Sequence, residues 1–313
     1  MVPADVAGIG RDPAVRKSGP ATAPRCAKMS GMRDIISAAE LAGDLEAGES
    51  PTLLDIRWQL GGPPGRPEYA AGHLPGAVYV DLETELAGPQ QQGTGRHPLP
   101  SAEQFGEAMR RAGVRQDRPV VAYDAGGPGG GWAAARAWWL LGWAGHEQAS
   151  VLDGGLAAWR AAGLPLTTEE PQPAEGDFLP LPGTFSVLDP SSAASLARRG
   201  VLLDARAAER YRGDVEPMDP AAGHIPGAVS APTTENLTDA GTFRTPEALA
   251  ERFEALGVRP GAEVGVYCGS GVSAAHEVLA LRIAGIGARL YPGSWSEWSA
   301  DPTRPVATGP ERG

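Results

Sequence analysis

The chain has 313 residues, a net charge of −11, 42% hydrophobic content and 21% charged content. That length suits about two domains with buried cores, and an acidic chain with no basic block is a poor partner for nucleic acid or an anionic membrane. No run approaches the roughly 18 apolar residues of a membrane span, and two cysteines, Cys26 and Cys268, imply no disulfide framework and suit a reducing, cytoplasmic setting.

Residues 1–31 are rich in Pro, Ala and Gly and lack the apolar core of a signal peptide. They read as a disordered leader, with Met29 or Met32 as an alternative start. From there the chain repeats itself. The first half carries LLDIRW (53–58), YAAGHLPGAVYVD (69–81), VVAYDAGGPGGGWAAARAWWLL (120–141) and VLDGGLAAW (151–159). The second carries LLDARA (202–207), DPAAGHIPGAVSAP (219–232), VGVYCGSGVSAAHEVLAL (264–281) and LYPGSWSEW (290–298). Shared order and near-equal spacing mark a duplicated domain. Residues 32–164 form the first copy and 185–305 the second. Residues 165–184, rich in Pro and acid and without periodicity, read as an exposed linker.

Within the second copy, VLLDA, AVSAP, VGVYC and ARLY read as strands. Residues 246–256, opening on a proline, and 272–285 read as helices. Alternating strands and helices predict an α/β fold, each copy a mainly parallel sheet flanked by helices. Ligands of such sheets bind at the C-terminal strand ends, and Cys268 stands at one.

The CGSGVS turn joins that strand to the next helix. Gly269 and Gly271 let the backbone curl where other residues strain. The curl can aim N–H groups at one point, and the helix N-terminus adds its positive end. A sulfur held there is favoured as the thiolate, and a thiolate with space above it is a nucleophile. The competing reading is a buried core cysteine. Two chemistries fit the cradle. Phosphate-ester cleavage by Cys-x5-Arg needs a clamping arginine, yet the sixth position after Cys268 is Ala274. In sulfur transfer, the thiolate takes the outer sulfur of a donor as a persulfide. Neither a metal nor an organic cofactor is expected. The five histidines and two cysteines lack ligand spacing, and GGPGGG (126–131) lacks the ending of a phosphate loop.

With these residues in view, the chain resembles the two-domain rhodanese family of thiosulfate and 3-mercaptopyruvate sulfurtransferases over roughly residues 33–300. Tyr69–Ala77 (YAAGHLPGA) is similar to its N-terminal pattern and Ala288–Trp298 (ARLYPGSWSEW) to its C-terminal one. The fold implied is two tandem rhodanese-like domains. The resemblance makes Cys268 the nucleophile, with Gly269, Ser270, Gly271, Val272 and Ser273 as its loop. Asp124 stands where the first copy would carry the cysteine, which implies an inactive first domain.

The resemblance also implies that Arg210 binds the anionic donor, as a forked guanidinium can, with Arg212 a weaker candidate. It makes His73 a candidate relay across the cleft, although the shared Gly-His-(Leu/Ile)-Pro-Gly-Ala pattern of His73 and His224 also suits a turn-pinning role. Trp58 is a candidate cleft residue; Trp159, Trp295, Trp298 and His276 read as packing. Mercaptopyruvate-selective relatives carry a second arginine after Glu-Pro, where this chain has Glu216-Pro217-Met218, while CGSGV resembles their loop. Both donors stay open. The implied function moves sulfane sulfur from thiosulfate or 3-mercaptopyruvate to cyanide or a thiol, a thioredoxin-like protein included. A persulfide carrier without turnover is the alternative, and a phosphatase-like enzyme the third reading.

Overall fold

The computed structural model describes residues 33–48, 51–127 and 130–313. The leader of residues 1–31, the alternative starts and Cys26 lie outside the described residues, as do Pro128 and Gly129 of the GGPGGG stretch. Among the described residues no helix is long and apolar enough to cross a membrane.

Among the described residues nine strands form two sheets. The first holds β1 (Ile35–Ile36), β2 (Thr52–Asp55), β3 (Val78–Tyr79), β4 (Val120–Tyr123) and β5 (Ala149–Leu152) in the order β1-β5-β4-β2-β3. The second holds β6 (Val201–Asp204), β7 (Val229–Ser230), β8 (Val264–Tyr267) and β9 (Arg289–Leu290) in the order β7-β6-β8-β9. Every pairing is parallel. In the second sheet, the counterpart of β1 shrinks to a single parallel bridge between Val187 and Leu290. The helices of the first half are α1 (Ala38–Glu46), α2 (Arg66–Ala71), α3 (Leu82–Glu85), α4 (Ala102–Arg111), α5 (Trp132–Trp143) and α6 (Gly155–Ala161). Those of the second are α7 (Pro190–Arg199), α8 (Ala208–Arg212), α9 (Pro246–Ala255), α10 (Ser273–Ile283) and α11 (Ser294–Ala300).

The strands and helices expected in the second half are present, and the sequence chemistry explains their ends. Thr245 accepts from Ala248 N and Pro246 opens α9, as a cap followed by proline should. β8 ends at Tyr267, so Cys268 is the first residue beyond its C-terminal end. Helices α5 and α10 are buried on nearly every face because they pack against each other between the sheets. One apolar core therefore runs continuously from the first half into the second.

The repeated Gly-His-(Leu/Ile)-Pro-Gly-Ala pattern has a shared structural cause. In each half a tyrosine stacks on the histidine, Tyr69 on His73 at 3.8 Å and Tyr211 on His224 at 3.7 Å. The same tyrosines donate to Ala77 O and Ala228 O, both at 2.8 Å. Leu74 N and Ile225 N donate to the hydroxyls of Tyr123 and Tyr267, both at 3.1 Å. Buried arginines complete the frame. Arg57 holds Asp55 and Gly72 O, while Arg206 holds Asp204 and Gly223 O. These buried ion pairs, one in each half, thus close the turns that follow β2 and β6.

Residues 165–184 differ from a purely exposed connection. Thr167 pairs with His73, and Phe178 is fully buried against Phe105 and His146. The apolar ring outweighs the Pro-rich composition and fastens the segment to the first half.

His276 lies within α10, stacked on Phe243 at 4.5 Å and bonded through Nδ1 to Thr233 at 2.8 Å. Burial, with the charge of Arg252, lowers its pKa to about 3. The unfolded chain takes up this proton near the ordinary value of about 6.5. Stability from the neutral ring is therefore present above that value and lost as pH falls towards about 3. The urea midpoint should fall steeply across that window, and His276→Gln should flatten the dependence. An equally steep fall in the variant would exclude His276 as its source.

Candidate active site

Cys268 follows β8 and is 2% exposed. Its N–H donates to Ser294 Oγ at 3.1 Å, and its carbonyl accepts from Trp295 N at 2.9 Å. The loop is thereby tied to the PGSWSEW stretch. The Ser294 hydroxyl in turn donates to Tyr291 O at 2.8 Å, and Ser294 holds φ 55, a conformation costly for a residue with a Cβ. Gly271 takes φ +82, and a Cβ there would meet Pro292 O at 2.5 Å, so the turn requires glycine. Its N–H donates to Cys268 Sγ at 3.1 Å. That is one backbone donor of the expected cradle aimed at the sulfur.

Above the sulfur lies a cavity of about 230 Å³. Its second-half wall includes Arg206, Arg210, Thr233 and Thr234; Trp58, Leu60, Arg96 and Trp132 come from the first half. A chain of contacts from the first half reaches the loop here, and its last link crosses between the halves. Ser270 Oγ lies 2.7 Å from His97 Nδ1. His97 Nε2 lies 3.2 Å from Glu83 Oε2, and Glu83 Oε1 accepts from Trp58 Nε1 at 2.6 Å. The carboxylate places the imidazole proton on Nε2, which leaves Nδ1 to accept the Ser270 hydroxyl. Burial holds His97 below the ordinary histidine value, with Glu83 opposing, so the ring is neutral at pH 7. Trp58 also meets His97 edge-on at 5.5 Å.

Arg136, from α5, lies beneath the loop and is fully buried. It donates to Gly271 O at 3.3 Å, to Leu86 O at 3.3 Å and to His97 O at 3.1 Å. Burial lowers its pKa to about 10, against the attraction of Cys268. The cleft arginines are interlaced with acids. Arg206 is held by Asp204 and Glu216, Arg210 by Glu216 at 2.7 Å and Asp219 at 3.3 Å, and Arg96 by Asp219. Burial raises the Asp219 pKa, opposed first by Arg96.

Of the residues singled out in sequence, Cys268, Gly269, Ser270, Val272, Ser273, Arg210 and Trp58 share this cavity, with Gly271 holding the sulfur from the loop. His73 does not reach it. Both ring nitrogens face carbonyls, Tyr69 O at 2.8 Å and Glu169 O at 3.1 Å, within the frame described above. His97, not His73, is the histidine within hydrogen-bond reach of the cysteine loop. Arg212 pairs with Asp214 away from the cavity, and Met218 is exposed. Sequence reasoning missed Glu83, Arg96, His97 and Arg136. One signal was available: His73 and His224 are paired by the duplication, whereas His97 has no partner in the other half.

In the first half, Asp124 occupies the position of Cys268. It follows β4 as Cys268 follows β8, and Asp55 pairs with Tyr123 as Asp204 does with Tyr267. Its Oδ1 accepts from Gly126 and Gly131 N and its Oδ2 from Ala133 and Ala134 N, all within 2.9–3.2 Å. Burial raises the Asp124 pKa, and these four donors oppose it.

The model of the rhodanese-like domain matches residues 37–162 and 189–301. The putative thiosulfate sulfurtransferase SseB of Mycobacterium tuberculosis is 49% identical over 278 residues, covering 88% of this chain and 97% of that protein. The probable 3-mercaptopyruvate sulfurtransferase of Pseudomonas aeruginosa is 49% identical over 282 residues, covering 88% and 98%. Among solved structures, the 3-mercaptopyruvate enzyme SseA of Escherichia coli superimposes with a TM-score of 0.74 at 33% identity, covering 84% of this chain and 99% of that one.

Asp124→Ala leaves four N–H groups, two of them buried, without their acceptor. It should lower stability by about 2 kcal/mol or more, read as the urea midpoint. Sulfur loading of the protein should persist, because Asp124 lies outside the cavity around Cys268. A stability unchanged by the substitution would show that the carboxylate contributes nothing to the loop.

Proposed function

The chain belongs to the rhodanese family and is a sulfurtransferase, and from that premise we propose that 3-mercaptopyruvate is its donor. Sulfur passes through a persulfide on Cys268 to cyanide or a thiol, a thioredoxin-like protein included. The relatives divide between the two donors at equal identity, so names do not choose. The observation that carries the choice is the 2.7 Å contact of Ser270 Oγ with His97 Nδ1.

The chemistry differs between the donors in its protons. With thiosulfate, the Cys268 thiolate attacks the outer sulfur, the S–S bond breaks and sulfite leaves with the electron pair. No proton moves. With 3-mercaptopyruvate, the thiolate attacks the donor sulfur and the C–S bond breaks. The electron pair goes to the donor's C3, giving pyruvate enolate, and the thiol proton must travel from sulfur to that carbon. The products are pyruvate and the Cys268 persulfide anion. A hydroxyl on a neutral imidazole, oriented by a carboxylate, suits that proton transfer. Thiosulfate has no use for it. Arg136 beneath the loop attracts a negative Cys268, and Gly271 N donates to the sulfur.

The first half has no sulfur nucleophile at Asp124, so the chain carries one reacting centre, and that half contributes the cleft wall. This reading also places the protein in the cytoplasm. A thiol that must be recharged persists in a reducing compartment.

Intact mass after brief exposure to either donor tests the persulfide. The wild type should gain one sulfur atom and Cys268→Ser none; a gain by the variant would end this mechanism. Ser270→Ala and His97→Gln should slow single-turnover loading from 3-mercaptopyruvate by about 100-fold or more, with thiosulfate loading little changed. Equal losses with both donors would remove the relay. Because burial keeps His97 neutral, loading from 3-mercaptopyruvate should hold through neutrality. It should fall only below the ordinary histidine value of about 6.5.

A further inference from the structure

We infer that Arg96 is a donor-binding residue. With Arg210 it forms a grip of two guanidiniums, one from each half, for the donor's carboxylate. This rests on the reading that the donor at Cys268 is a carboxylate-bearing thiol.

Both arginines line the cavity that holds Cys268. They converge on the residue bonded to it: a Cβ on Gly269 would stand 2.9 Å from Arg96 Nη2 and 3.5 Å from Arg210 Nη1. A donor whose carboxylate lies beside Gly269 keeps its sulfur within reach of Cys268. A side chain at Gly269 would fill the space where the two forks meet.

Arg96 is held in place from the opposite half. Its N–H donates to Ser296 Oγ at 3.0 Å, and a Cβ on Gly95 would meet Gly293 O at 2.4 Å. Asp219 accepts from both arginines, from Arg96 Nη1 and from Arg210 Nη2. It fixes the pair without using every donor. Arg96 Nη2 and Arg210 Nη1 have no acceptor among the described residues, and both Nε atoms are unpartnered. Arg206, the third guanidinium of the cavity, is committed to Asp204 and Glu216. Forked N–H groups with unused donors suit a planar carboxylate.

The test uses the full chain, its Arg96→Gln variant and the conservative Arg96→Lys. Pyruvate binding by calorimetry reads the carboxylate grip without any sulfur transfer. Steady-state kinetics with 3-mercaptopyruvate and with mercaptoacetone, which lacks the carboxylate, read it during turnover. Arg96→Gln should weaken pyruvate binding and raise the KM for 3-mercaptopyruvate roughly 10- to 100-fold. It should leave kcat and the mercaptoacetone KM near wild type. Arg96→Lys should recover part of the loss. Unchanged pyruvate affinity, or equal losses with both donors, would overturn the inference. If the wild type takes sulfur from neither donor while pyruvate binding still depends on Arg96, the grip stands and the donor reading falls. If Arg96→Gln turns over 3-mercaptopyruvate at the wild-type KM, the donor reading stands and the grip falls.

Discussion

Everything at the cleft hangs on one buried cation. Arg136 lies fully inside the protein, and among the described residues no carboxylate pairs with it. Burying an unpaired charge costs several kcal/mol unless hydrogen bonds and an opposite charge offset it. The hydrogen bonds come from carbonyls of both halves: Leu86, His97 and Pro98 in one, Gly271 in the other. An attraction towards Cys268 adds to them. One side chain therefore fixes both the stretch of backbone that presents His97 and the loop that presents the sulfur. Helix α5 can place it there because α5 packs directly on α10, the helix that opens just after the loop.

The duplication separates what the fold needs from what the reaction needs. The Asp-x-Arg pair, the tyrosine–histidine stack and the hydroxyl bond to the Leu/Ile N–H recur in both halves with nearly identical distances. They hold each sheet to the turn after it, in the half with Asp124 as in the half with Cys268. Ser270, His97, Glu83, Arg96 and Arg136 are unmatched. They meet at a single place, and the first half supplies four of the five. The half that has no cysteine therefore supplies much of what surrounds Cys268.

That pattern explains how much could be read from the sequence. Strand–helix alternation, the linker position and the cysteine loop are local signals, carried by apolar runs and by glycines at forced turns such as Gly271. Arg210 was legible because it lies one turn after a recognisable strand. His97 and Arg96 sit in a Pro-rich loop far from Cys268 in sequence, and only the packing of α5 on α10 brings that loop over the sulfur. His73 looked like the stronger relay because its surroundings are more distinctive. Those surroundings are what occupy both of its ring nitrogens. Phe178 shows the same limit in the linker, where composition reads as exposure and one ring decides otherwise.

The two equivalent loops solve one electrostatic problem in two ways. A backbone curled at the N-terminus of a buried helix collects N–H groups that need an acceptor. In the first half, Asp124 supplies a permanent one, and its two oxygens consume four donors, including two at the start of α5. In the second half, sulfur supplies it at Gly271, and that acceptor can change its length by one atom and change back. A carboxylate satisfies the backbone but cannot carry sulfur, so its presence keeps the first loop folded while removing its chemistry. The half with Asp124 forms part of the wall instead, and its Arg96, His97 and Trp58 stand around the loop that holds the sulfur.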